Sequence, residues 1–268
     1  MELPPATFCH RCNAKLFYKE SKNLCCSNGR VVIHGIPAPP ELLDLFTQQG
    51  TLGRHFRQNV RSYNHIFSFT SMGVTLDESI PSFAQGIYTF RAHGALYHRI
   101  GSLLPSLGNR PRFLQMFIYD TDCETKHRME EGHGLDVDVL HKIKTILDIY
   151  NPFVHRFRQL SQHPQIQSCR LLIRDRPATE RQYILPTASQ VAAILIGAED
   201  FMESDDRDIV ICTTAGNLLT LKEYTGYYDP MQYPLLHPYG TYGWDKCLES
   251  NQGIRISCCD YYASLLQV

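Results

Sequence analysis

No long apolar run occurs in these 268 residues. The longest, around Ala192–Ile196, falls far short of the roughly 18 residues that cross a bilayer. The N-terminus, Met-Glu-Leu-Pro-Pro, lacks the basic start and apolar core of a secretory signal. Together these absences predict an intracellular protein with no membrane partner, in a compartment that keeps thiols reduced. Catalytic signatures are equally scarce. There is no Gly-x-x-x-x-Gly-Lys-Ser/Thr loop for nucleotide phosphates, no Gly-x-Ser-x-Gly elbow and no His-Glu-x-x-His helix. None of the 12 histidines stands two residues from another, so the His-x-His metal pair of nicking enzymes is missing. Without a metal-bound phosphate beside them, Tyr227-Tyr228 and Tyr261-Tyr262 read as packing aromatics rather than nucleophiles. No complete active site is legible.

What is present suits a folded domain. Hydrophobic residues make up 43% and charged residues 20%, a balance that excludes a disordered chain. The net charge of −1 hides an asymmetry: residues 1–70 carry eight Lys/Arg against four Asp/Glu, and the remainder carries 18 against 23. A basic N-terminal portion permits a polyanionic partner without requiring one. Glu130-Glu131 and Asp205-Asp206 read as solvated charged faces.

Along the chain, Pro37-Ala38-Pro39-Pro40 reads as a stiff linker whose last prolines suit the first turn of a helix over 41–47. Phe56, Val60, Tyr63 and Phe67 recur at helical spacing and predict an amphipathic helix over 54–67. Arg54, Arg57 and Arg61 gather on another side of it, positioned to neutralise phosphates. Tyr63 or Tyr97 would stack on single-stranded bases only if exposed, and burial is the commoner state of such rings. His93-Gly94 is a predicted hairpin turn between 87–90 and 95–98, and 113–120 reads as a buried strand. Val139, Ile143, Ile146, Leu147 and Tyr150 mark a further helix, and 152–160 another. Strands are expected at 170–174 and 191–196, the second open to a helical reading on its alanines, with a last hairpin joining 209–213 to 218–221. The order predicts an α+β fold: a small N-terminal zinc-binding unit (1–36), a mixed domain of helices and antiparallel strands (37–240), and a Gly- and Cys-rich segment (241–268) ending in a short helix.

Cysteine carries the strongest chemical signal. Of ten cysteines, Cys123, Cys169, Cys212 and Cys247 stand singly and read as small core hydrophobes. Cys9-His10-Arg11-Cys12, followed by Cys25-Cys26, is different. A CxxC turn sets two thiolates on one side of a tight loop, at the separation a tetrahedral Zn²⁺ demands, and the second pair closes the sphere. With only Phe8, Leu16, Phe17 and Val31 to bury, this unit would take its fold largely from the metal. Adjacent residues tend to point apart, which leaves His10 or His34 open as the fourth ligand in place of Cys26. A redox CxxC is the competing reading, but no thioredoxin-like pattern surrounds it.

Several longer phrases add a resemblance. The cysteine cluster with Gly29, HFRQNVRSYNHIFSFTSMG (55–73), YHRIGSLLP (97–105), FLQMFIYDT (113–121), LPTASQVAAILIG (185–197), GYYDPMQYPLLHPYGTYGW (226–244) and ISCCDYYASLLQ (256–267) resemble, in order, the N-terminal region of plant-type Helitron rolling-circle transposases. The resemblance implies a zinc-finger-like unit ahead of a helitron helicase-like nicking domain and a superfamily 1 helicase. It also implies a nuclear location, and partners that include DNA (single strands or transposon ends) and the nicking and helicase domains themselves. The last phrase looks like the entry to the helicase-like domain, so the chain is expected to be a truncated, non-catalytic piece that assists DNA binding. The alternatives are a protein-interaction module docking on those domains, or a relic without function. Only Cys9, Cys12, Cys25 and Cys26 carry over as family site residues.

Overall fold

The computed structural model describes residues 7–16, 18–19, 24–31, 33, 35–76, 92–100, 103–105, 107–119, 123–162, 166, 169–173, 192–196, 209–211, 219–221, 225–250 and 252–266, and gives the strands between 71 and 221 as backbone pairing. Helices and antiparallel strands mix along the chain. It opens with a short hairpin, β1 (Thr7–Phe8) and β2 (Lys15–Leu16), then a 3-10 turn at Ser27–Gly29. Helices α1 (Pro40–Thr47) and α2 (Thr51–Phe67) follow, with Pro40 in the first turn of α1 where its missing N–H costs nothing.

Strands β3 (Ser71–Leu76) and β4 (Ala92–Ile100) pair antiparallel, and β4 also receives β8 (Leu219–Leu221). A second sheet places β5 (Cys169–Ile173) between β6 (Ala192–Ile196) and β7 (Ile209–Ile211). The strands expected near 170–174 and 191–196 are therefore present and paired. Two expectations fail here. His93-Gly94 is no turn: both residues lie inside β4, where Gly73 opposes Tyr97 but Thr75 opposes His93. Extra residues on the β4 side make a bulge, the other use of a glycine in a strand. Strands β7 and β8 also exist, but they join different sheets instead of pairing with one another. The expected strand at 87–90 lies outside the described residues.

A helical layer holds the main core. Helices α3 (Leu114–Ile118), α4 (Glu124–Glu131), α5 (Val137–Tyr150) and α6 (Pro152–Ser161) pack with α1 and α2. The buried strand expected at 113–120 is thus the short helix α3. Burial was read correctly, because Leu114, Met116, Phe117 and Ile118 are all buried. Periodicity cannot separate strand from helix in so short an apolar run. The amphipathic readings of α2 and α5 hold: Phe56, Tyr63 and Phe67 bury on α2, and Val139, Ile143, Ile146 and Leu147 on α5. Phe69 sits at the centre, with ring centroids 4.8 Å from Phe117 and 5.1 Å from Phe157.

Side chains fix the joints between these helices. Asp136 caps α5 by accepting from the N–H groups of Asp138 (2.9 Å) and Val139 (3.1 Å), and Asn151 caps α6 in the same way. Asn64 on α2 donates to the carbonyl of Gln232 (2.9 Å), and Thr70 donates to its side chain (2.6 Å). These bonds tie the helical layer to α7 (Tyr228–Gln232) and the segment after it. Helix α8 (Cys258–Leu265) closes the described chain, capped by Ser257. No helix among the described residues is long and apolar enough to cross a membrane.

Candidate metal centre

The CxxC turn forms the tip of the β1–β2 hairpin. Cys9 N–H donates to Ala14 O and Asn13 N–H to Cys9 O, both at 2.9 Å, so the chain reverses tightly between Cys9 and Cys12. Asn13 takes a positive φ of 59°, which an Asn tolerates better than most residues. The second pair meets the first through another tight turn. Ser27, Asn28 and Gly29 have φ of 45°, 63° and 85°, and this left-handed run swings the chain around Cys26. Gly29 N–H donates both to Cys26 O (2.8 Å) and to Cys26 Sγ (3.2 Å).

The four sulfurs converge. Cys9 Sγ lies 3.9 Å from Cys26 Sγ, Cys12 Sγ lies 3.6 Å from Cys25 Sγ, and all four fall within 4.8 Å of one another. A tetrahedral ion with sulfur bonds of about 2.3 Å would set its ligands roughly 3.8 Å apart. The donor set fits, and these four residues could hold a metal ion. Adjacency of Cys25 and Cys26 does not send one of them away: both are 1% exposed and both face the cluster. His10 is exposed and stands outside the cluster, while His34 lies outside the described residues.

Electrostatics make the same point. Backbone N–H groups of Cys12 and Arg11 hold the Cys9 thiol down to about 6. Burial instead pushes the Cys25 and Cys26 thiols up. Two buried sulfurs beside a third that favours the thiolate make a poor arrangement without a cation and a good one with it.

The unit's own core is thinner than its sequence suggests. Phe8 is 58% exposed, Phe17 lies outside the described residues, and Leu16 is half-buried against the cysteines. Val31 is buried, but against Ile256 and Tyr261 of the far end of the chain. The Ser27 hydroxyl donates to Asp260 in the first turn of α8. The cysteine unit is thereby clamped to α8.

The three arginines of α2 divide. Arg54 and Arg61 are exposed. Arg57 instead donates to the carbonyls of Phe46 (3.0 Å) and Gln48 (2.8 Å), satisfying the C-terminal end of α1. Tyr63 is buried, with its hydroxyl bonded to the backbone of Asp136, and no base can stack on it. The side chain of Tyr97 lies outside the described residues.

One feature escaped sequence reasoning. A cavity of about 650 Å3 opens between the 33–38 linker, α1, the segment after α7, and α8. Asp229 and His237 line it and are 5% and 7% exposed. The density of Tyr, Pro and Gly over 226–244 was the only signal. Comparison of the chain with protein-family models finds no match, and comparison with curated proteins finds none either.

Proposed function

We propose that this chain is the non-catalytic N-terminal region of a Helitron transposase, in which a zinc-bound cysteine unit and the exposed side of α2 assist DNA binding. The observation that carries the reading is the convergence of Cys9, Cys12, Cys25 and Cys26 at tetrahedral spacing. Four thiolates in that geometry favour zinc over magnesium, calcium or manganese, which prefer oxygen. The ion would be structural: with all four positions filled by sulfur, none is left open for water or substrate. Zinc-finger-like units of this kind serve as holders of a surface, and the surface proposed is Arg54 and Arg61 on α2. The long phrases that resemble Helitron transposases support the family reading, and the lack of His-x-His and phosphate-binding motifs is the reason for proposing a non-catalytic role.

Titrating the full chain with labelled single- and double-stranded DNA at several salt concentrations tests this. Each neutralised phosphate lowers log K by roughly 0.7 to 0.9 per log unit of salt, so two arginine contacts imply a slope of about −1.4 to −1.8. Arg54→Ala with Arg61→Ala should remove that slope, and both exposed positions accept alanine without loss of helix. Absence of binding at low salt decides against DNA binding, and a slope unchanged in the double variant decides against this side of α2 as the surface that binds it.

A further inference from the structure

The cavity beside α7 gathers tyrosines around one carboxylate and one imidazole. Six of its twenty lining residues are tyrosines (Tyr228, Tyr233, Tyr239, Tyr242, Tyr261 and Tyr262), and none is Lys or Arg among the described residues. Its one carboxylate, Asp229, is anchored from a single side. Oδ2 accepts from the Tyr262 hydroxyl and from Trp244 N–H (3.3 Å), whereas Oδ1 accepts no hydrogen bond among the described residues. His237 is held in the same half-used way. Nδ1 faces Thr241 Oγ1 at 2.9 Å, and Nε2 has no partner among the described residues. Neither free atom is sealed into the interior.

In the neutral ring that donates from Nδ1 to Thr241 Oγ1, Nε2 presents a lone pair. Burial lowers the His237 pKa, with Asp229 opposing, which favours the neutral ring near pH 7. The cavity thus offers two acceptors, one of them anionic, beneath aromatic walls whose faces attract positive charge. A phosphate or carboxylate ligand would meet a negative floor and no cation. A wholly apolar ligand would leave Asp229 Oδ1 buried and unpaired.

We propose that this cavity binds a small primary ammonium ligand with an apolar or aromatic body, its N–H groups donating to Asp229 Oδ1 and His237 Nε2. The volume of about 650 Å3 lies within the range of small-molecule sites. The tyrosines surround the body, and the exposed rim at Ala38 and Leu266 leaves a way in. The argument for this site does not rest on the metal and DNA reading above, although the two sites share helix α8.

Calorimetric titration of the full chain, purified with zinc, tests it with probes that share one ring and differ in head group: phenethylammonium, 2-phenylethanol and phenylacetate. The ammonium should bind about tenfold more tightly than the alcohol, with phenylacetate weakest. Asp229→Asn should bring the ammonium and alcohol affinities together. Ala38→Trp, at the exposed rim, should block binding while leaving the unfolding midpoint unchanged. That second variant keeps the test decisive even if the Asp229 variant fails to fold. Equal affinities for ammonium and alcohol, a preference for phenylacetate, no binding of any probe at roughly 10 mM, or ammonium binding that survives Ala38→Trp would overturn the proposal.

Discussion

Ser27, in the turn that follows the clustered cysteines, donates its hydroxyl to Asp260, 233 residues further along the chain. Asp260 also accepts from the Ser257 hydroxyl (2.7 Å), while its own N–H is capped by that same oxygen. Ser27 first, and Ser257 next, hold the Asp260 carboxyl below the usual carboxylate range. A carboxyl depressed by folding contributes stability that is complete above its unfolded value, near pH 4, and lost as the pH falls through its folded value. Asp260→Asn should therefore destabilise the protein at neutral pH by about 0.5–1 kcal/mol, the low end because the group is partly solvated. Denaturant unfolding across roughly pH 3 to 7 should show the difference from wild type shrinking in acid. A difference constant with pH would mean that the carboxylate charge plays no part.

Metal content separates the ligands from their neighbours. Elemental analysis of the purified chain should give close to one zinc, and Cys26→Ser should lose it. His10→Ala should keep it, because His10 is exposed and outside the cluster. Retention of zinc by the Cys26 variant together with its loss in the His10 variant would mean that the fourth ligand had been misassigned.

The charge network under α4 gives a second stability test. Glu124 and Arg128 pair at 2.7 Å with both side chains 0% exposed, and the Arg128 guanidinium lies 4.3 Å from the Phe67 ring and 4.4 Å from Phe117. Arg158 reaches the other Glu124 oxygen. Glu124→Ala leaves a buried guanidinium without its carboxylate and should cost about 3–5 kcal/mol in urea unfolding. Replacing both partners, Glu124→Leu with Arg128→Met, should cost clearly less, because no charge is then stranded. Equal losses would place the energy in packing rather than in charge.

Much of this was legible in the sequence, for identifiable reasons. Helices α2 and α5 are long enough for a 3.6-residue period to accumulate: of the positions that carry it, Phe56, Tyr63, Phe67, Val139, Ile143, Ile146 and Leu147 are buried, and Val60 and Tyr150 are half-buried. Cysteine spacing points to the four converging thiols because the chemistry there is local. Helix α3 reads as a strand because five residues, four of them buried, carry no period. The role of Arg57 was hidden because its acceptors belong to the preceding helix. The Asp229–His237 cavity could not be read at all: it takes shape only when the linker, α1 and α8 meet the 226–244 segment.

Within that segment Gly243 has a specific duty. A Cβ at this position would sit 1.9 Å from Asp229 Oδ2, and one at Gly226 would sit 2.1 Å from the Tyr242 ring. Gly243→Ala should therefore cost about 1–3 kcal/mol in thermal or urea unfolding by displacing the Asp229 carboxylate. Gly50→Ala is the control, since nothing lies within 4 Å of its added Cβ. It should stay within about 0.5 kcal/mol of wild type. A silent Gly243 variant would mean that the segment relaxes freely.

Helix α8 belongs to two sites at once. Its first turn is gripped by the metal unit through Ser27 and Asp260, and its other residues, Tyr261, Tyr262 and Leu265, form a wall of the cavity. Whatever an ion held by the four cysteines would do to the position of α8, it would do to that wall. With the proposed ligand bound as well, linkage would run in both directions: the factor by which the ion sharpened the ligand's affinity would be the factor by which the ligand tightened the hold on the ion. A chain stripped of its ion should thus bind phenethylammonium more weakly, and a chain saturated with phenethylammonium should surrender its zinc to a chelator at a correspondingly higher chelator concentration.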